Sequence, residues 1–186
     1  MRKYVILVMA ILAVVVFSSG CTTDGNQTSD QSKVPTKSYS ANGISFDYPE
    51  SWVELKDIVT ANAIVAYGDP KSANASSGNY NTLMIIQKYS MPSNATLKQV
   101  YDATYSQAAA QNPTFQQISD TTTTVEGTTA YVNVHKIDTS GVQKQEKAVW
   151  LEKDGNVYII LMGALPDAFN SQQENFDTIV NSFKVQ

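Results

Sequence analysis

The sequence predicts an α+β domain in which a central antiparallel sheet is covered by helices on both faces. Three observations carry this. Asp154-Gly155 is a two-residue hairpin turn between two apolar runs. The register it sets places Leu151 opposite Tyr158, Trp150 opposite Ile159, Val149 opposite Ile160 and Ala148 opposite Leu161. Both faces of that hairpin are then apolar, whereas a sheet with one wet face alternates apolar with polar. Two other stretches repeat apolar residues at helical spacing and can supply the cover. The remaining segments form a succession of short strands broken by turn residues.

The chain opens MRKYVILVMAILAVVVFSSGC, with two cations, an apolar run, small residues and the sole cysteine. As a helix, Tyr4 to Phe17 would be roughly 21 Å long, short against a hydrocarbon core of about 30 Å. It fits the apolar part of an export signal. The alternative is an uncleaved anchor, and Arg2 and Lys3 favour the cytoplasmic side in both cases. Ser19, Gly20 and Cys21 resemble the lipid-attachment box of prokaryotic lipoproteins, while Ser18 departs from its usual aliphatic residue. Residues 1–20 are therefore expected to be a signal peptide, with Cys21 as the lipid-attachment site. With a single cysteine, the exported part has no internal disulfide.

At 42% hydrophobic and 16% charged residues, the 186-residue chain has the composition of one globular domain plus a leader. Without Arg2 and Lys3, 11 of the 13 basic residues remain against 17 acidic ones, a net −6. That balance argues against nucleic acid and against an anionic lipid surface as partners.

Residues 21–38 are the lipidated cysteine and a polar tether. Thr22 to Ser38 holds one aliphatic side chain, Val34, too little to order itself. As a random coil it reaches roughly 20–25 Å. The globular domain is expected over residues 39–186. It opens with an Asn42-Gly43 turn and a strand whose Ile44, Phe46 and Tyr48 share one face. Pro49 ends that strand and Trp52 follows. Ile58 to Tyr67 alternates as a second strand, 68–81 is a long polar loop, and Thr82 to Tyr89 is a buried strand. Thr96 and Gln99 form a capping box for a helix with Leu97, Val100, Tyr101, Thr104 and Ala108 on one stripe. Asn112-Pro113 stops it. Strands are expected over 115–125, 128–137, 145–153 and 156–163. Ser171 and Glu174 read as a second capping box, opening a helix with Phe176, Ile179, Val180 and Phe183 inward.

The turn Gly43, the alternation Ile44-Phe46-Tyr48 and Pro49-x-x-Trp52 resemble the opening of the PsbP family and the wider Mog/PsbP-like fold. Asp154-Gly155-x-x-Tyr158 and Ser182-Phe183-Lys184-Val185 continue the resemblance, which spans most of Tyr39 to Gln186. It implies an α/β/α sandwich around an antiparallel sheet. It does not carry over photosystem binding, because the tether is generic.

Chemistry-bearing residues are few. His135, the sole histidine, shares a strand face with Tyr131 and Asn133, expected to be the less buried one. No second ligand has metal spacing, so no metal or other cofactor is expected. His135→Ala is expected to leave stability nearly unchanged. No serine lies in a G-x-S-x-G elbow. Asn26, Asn74 and Asn94 head N-glycosylation sequons in the tether, the long loop and the helix-entry loop. The expectation is a prokaryotic surface lipoprotein, archaeal if the sequons are used, anchored outside the membrane. It would act without catalysis, as a binding or assembly module or an accessory subunit, through an unidentified protein partner. The alternative is a cell-surface hydrolase using paired carboxylates such as Glu146 with Glu152.

Overall fold

A computed structural model describes residues 34–58, 62–74, 78–139 and 141–186. The order is β1 (Thr36–Ala41), β2 (Ile44–Pro49), β3 (Val53–Glu54), β4 (Ala63–Gly68), β5 (Leu83–Ser90), α1 (Leu97–Gln111) and β6 (Gln116–Val125). Then follow β7 (Thr128–Thr139), β8 (Val142–Lys153), β9 (Asn156–Ala164), α2 (Pro166–Phe169), α3 (Gln173–Ser182) and β10 (Lys184–Val185). Seven strands form one antiparallel sheet in the order β3-β4-β5-β9-β8-β7-β6. The other three form a small sheet, β1-β2-β10.

The β8–β9 hairpin keeps the register its turn dictates: Leu151 faces Tyr158, Trp150 faces Ile159 and Ala148 faces Leu161. Asp154 and Gly155 both have positive φ, 52° and 72°, which matches the right-handed twist of the strands they join. Successive residues on a strand point to opposite faces, so the core divides in two. Ala148, Trp150 and Ile159 pack with Leu97 and Tyr101 of α1. Val149, Leu151, Tyr158 and Ile160 pack with Phe176, Ile179 and Val180 of α3, with Phe183, and with Ile44 and Phe46 of β2.

Several expectations shift at their edges. The chain is already a strand at Thr36, three residues before Tyr39, because Thr36 pairs with Pro49 and Glu50 N–H donates to Pro35 (2.8 Å). In place of a strand from Ile58, Lys56–Ile58 is a 3₁₀ turn and β4 starts at Ala63. The second helix is broken. Pro166 opens α2, a 3₁₀ turn covers Asn170–Gln172, and α3 follows. The Ser171–Glu174 capping box does not form: the Ser171 hydroxyl donates back to Ala168 O (2.7 Å), and α3 begins after Gln172 with no side-chain cap. A serine one turn beyond a helical segment satisfies that segment's carbonyl instead.

The small sheet joins the two ends of the described chain. Val185 pairs with Ile44, Gln186 N–H donates to Gly43 O (2.9 Å), and Val185 N–H donates to Glu126 Oε2 (3.2 Å) in the β6–β7 turn.

Candidate functional site

The candidate site lies where α1 crosses β6 and β7. Thr96 caps α1 in full: its hydroxyl accepts from Gln99 N–H (3.3 Å) and the Gln99 side chain accepts from Thr96 N–H (2.9 Å). This anchors the start of α1 and sets Leu97 and Tyr101 inward, with Tyr105 one turn on. After the helix, Asn112 Oδ1 accepts from Thr114 N–H (2.9 Å) and from its hydroxyl (2.7 Å). That tight connection lays Phe115 over the His135 imidazole, centroids 4.9 Å apart. Tyr105 covers the same imidazole edge-on at 5.7 Å. Between α1 and β6 runs an open groove of about 650 Å³, lined by Tyr101, Asp102, Tyr105, Phe115, Gln117 and Asp120 among others.

Beneath the groove is a chain of buried polar groups. Thr139 pairs with Val142, and carrying that register inward sets His135 opposite Glu146 and Asn133 opposite Ala148. His135 Nε2 lies 3.2 Å from Glu146 Oε2, and Nδ1–H donates to Asn133 Oδ1 at 2.9 Å. Asn133 in turn donates to Gln117 Oε1 (3.3 Å). Tyr101 donates to Asp120 Oδ1 at 3.0 Å. Polar contacts thus run from Glu146 through His135 and Asn133 to Gln117, and a separate hydrogen bond ties Tyr101 to Asp120 at the groove wall. Among the described residues no buried side-chain polar atom lacks a partner. Burial pushes the Tyr101 phenol above its usual 10.0; Asn133 opposes that shift and Asp120 adds to it. Burial raises Tyr105 as well, although its hydroxyl accepts from Trp150 Nε1 (3.1 Å).

His135 corrects an expectation. Alternation predicts the less buried face for it, yet only 5% of the residue is exposed. The neighbours on that face, Tyr131 and Asn133, are as the alternation places them, but α1 and Phe115 cover them. An acidic partner is also present in Glu146. The arrangement resembles the base and orienter of a hydrolytic triad. It differs in that both ring nitrogens face groups within the sheet, Nδ1 the Asn133 amide and Nε2 the Glu146 carboxyl, with no nucleophile at either among the described residues. Glu146 and Glu152 do not converge. Six residues apart on one strand, they are separated by about 20 Å, well beyond the roughly 5–9.5 Å of glycosidase carboxylates.

Cys21 and Asn26 lie outside the described residues. Asn74 and Asn94 are exposed. Asn94 sits at positive φ (62°) in the turn before α1, a conformation that asparagine tolerates better than most residues. Among the described residues no three His, Cys, Asp or Glu side chains gather to hold a metal ion. No described helix is long and apolar enough to cross a membrane.

The long antiparallel sheet, the small sheet that ties the chain ends together, and α1 over a polar-floored groove define an α+β sheet-and-helix domain. The chain belongs to the PsbP-like protein family, whose model matches residues 4–185. Solved structures share the fold at low identity. The cyanobacterial PsbP, CyanoP, of Synechocystis sp. PCC 6803 superposes with a TM-score of 0.60 at 16% identity, covering 87% of this chain and 98% of its own. LpqN of Mycobacterium tuberculosis, described as involved in cell envelope biogenesis, gives 0.56 at 15% identity, with 82% and 91% covered. The Ran-binding protein Mog1p of Saccharomyces cerevisiae gives 0.56 at 11% identity, with 82% and 96% covered. Comparison with curated proteins returns no match.

Proposed function

We propose that the chain is a membrane-tethered extracytoplasmic module that acts by binding, as an accessory or assembly subunit, and not by catalysis. The observation that carries the non-catalytic part is His135. The one imidazole in the sequence is held at both nitrogens and roofed by Phe115 and Tyr105. The export-type leader with Cys21 supports the tether, and an N-terminal lipid is the anchor in this reading. The sheet is then the middle layer of an α/β/α sandwich, with α1 over one face and α3 over the other. The groove between α1 and β6 is the binding surface. It combines aromatic walls with a few fixed polar groups, as ligand sites do. Two structural relatives, one involved in cell envelope biogenesis and one that binds Ran, are compatible with a binding role on this fold.

The test is photocrosslinking of the full chain in its native membranes. A crosslinker at Ser106 or Ala109, in the groove, is expected to trap a partner that one at Val53, on the opposite sheet edge, does not. Cys21→Ser is expected to release the protein from the membrane or block its processing. An intact mass starting at an unmodified Met1 would refute the lipid anchor. Turnover in a hydrolase screen that is lost with His135→Ala in folded protein would refute the binding reading.

A further inference from the structure

We infer that the α1–β6 groove is a site for a small organic cation, an alkylammonium held by the Asp120 carboxylate against the rings of Tyr105 and Phe115. This rests on the groove being the module's binding surface.

Three features converge. Asp120 is exposed on β6, but its carboxylate is not free to swing, because the Tyr101 hydroxyl donates to Oδ1 at 3.0 Å. Tyr101 itself is 1% exposed and packed among Tyr105, Tyr131 and Trp150, so the donor that holds the carboxylate is fixed from below. Second, Tyr105 and Phe115 are half-buried, with centroids 6.1 Å apart and planes tilted by 34°. They form a continuous aromatic wall, and aromatic faces attract cations. Third, the groove already manages one cation of its own. Lys98 Nζ is bound by Asp102 at 2.6 Å and lies 6.0 Å above the Tyr131 ring, which packs on Tyr101. Asp102 is thereby neutralised, while among the described residues Asp120 forms no ion pair with a Lys or Arg. The groove therefore keeps, beside an aromatic wall, a carboxylate that Lys98 attracts from a distance but does not pair with directly.

The volume, about 650 Å³, falls within the roughly 300–1,000 Å³ of small-ligand sites. A chain with a net charge of −4 adds a favourable field for cations. An anion would meet Asp120 and Asp102, and an uncharged apolar ligand would desolvate the Asp120 carboxylate without offering it a counter-charge.

The experiment is an NMR titration of the full-length protein in detergent with choline and, separately, with dimethylbutanol, its uncharged isostere. The chain has two tryptophans. Trp150 Nε1–H donates to Tyr105 and so reports on the groove wall, whereas Trp52 lies in the other cluster and serves as the control. Choline is expected to shift the Trp150 indole signal saturably and leave Trp52 in place. Dimethylbutanol is expected to bind at least about fivefold more weakly, the loss of the charge–carboxylate and cation–π attraction. Asp120→Asn keeps an acceptor for Tyr101 and removes the charge, and is expected to weaken choline by a similar factor. Phe115→Leu is expected to weaken it too. Equal shifts from choline and its isostere, no shift at Trp150, or unchanged affinity in Asp120→Asn would each overturn the inference. A groove that crosslinks a partner while ignoring choline would sink the cation site and leave the module reading intact. Choline binding with no partner trapped would do the reverse.

Discussion

Removing His135 should cost far more than its place on a strand suggests. The His135 and Glu146 side chains are 6% and 11% exposed and 3.2 Å apart. In His135→Ala the Glu146 carboxylate loses that partner, Asn133 Oδ1 loses its donor, and Phe115 and Tyr105 lose the ring they cover. Breaking a buried pair by deleting one partner typically costs about 3–5 kcal/mol. That is a large part of the roughly 5–15 kcal/mol by which a domain is stable. Glu146→Gln keeps an amide that can bond the imidazole and should cost about 1–3 kcal/mol. Replacing both, as His135→Leu with Glu146→Leu, removes the unpaired charge and should cost much less than the sum of the two single leucine changes. Urea unfolding followed by tryptophan fluorescence gives all the terms of this double-mutant cycle. A loss under about 1 kcal/mol for His135→Ala, or an additive cycle, would show that the pair is not the buried unit described above.

Other outcomes follow from the same packing. Phe183 is 1% exposed, packs on Tyr158 (5.9 Å), and sits between α3 and β10; Phe183→Ala should cost about 3–5 kcal/mol through the cavity it leaves, seen as a lower urea midpoint. Tyr67, Tyr89, Tyr101 and Tyr105 all have phenols raised above 10.0, chiefly by burial. A phenol raised in the folded state contributes stability that is present below pH 10 and lost as pH rises beyond it. Lys144, lowered from 10.5 by burial, acts in the opposite sense, since its penalty is relieved as pH approaches 10.5. Among the described residues, the four tyrosines, joined by Lys98, which its hydrogen bond to Asp102 raises, oppose Lys144 alone and predict alkaline unfolding above about pH 10 in which phenolate absorbance and loss of fold coincide. Tyr105→Phe should make that transition shallower.

The elements set by local chemistry were legible from the residues. Asp154-Gly155 admits one tight turn, so every pair in the β8–β9 hairpin could be counted outward from it, and each is found. Thr96-x-x-Gln99 is equally local, and its cap forms in full. The site was legible only in part. The facing of His135 and Glu146 was within reach, since the turn pairing Thr139 with Val142 carries that register inward. The burial of the pair was not, because it depends on where α1 and Phe115 come to rest. Alternation assigns residues to a face and does not say which element covers it. The same limit hid the second sheet. Ile44, Phe46 and Tyr48 mark β2 as a strand, but its partners are β1 and the far end of the chain. The failed Ser171 cap has a simpler cause: Pro166 starts a helical turn earlier than the serine, and the chain needs a 3₁₀ segment to link the two.

The small sheet also sets an order of events. Among the described strands β10 is synthesised after all others, and its neighbour β2 is among the first; Ser40 and Gln186, bonded through their side chains, are 146 positions apart. Closing so long a loop is entropically late, and contacts of high sequence separation slow folding. Until Lys184 and Val185 emerge, β2 has one edge unpaired, and Ile44 and Phe46 lack Phe183 as a neighbour. The β1–β2 hairpin can form while the chain is still growing, but it stays open along that edge until Lys184 and Val185 are made. Loss of the final few residues would therefore be felt at the start of the domain, as faster exchange of the backbone amides of β2.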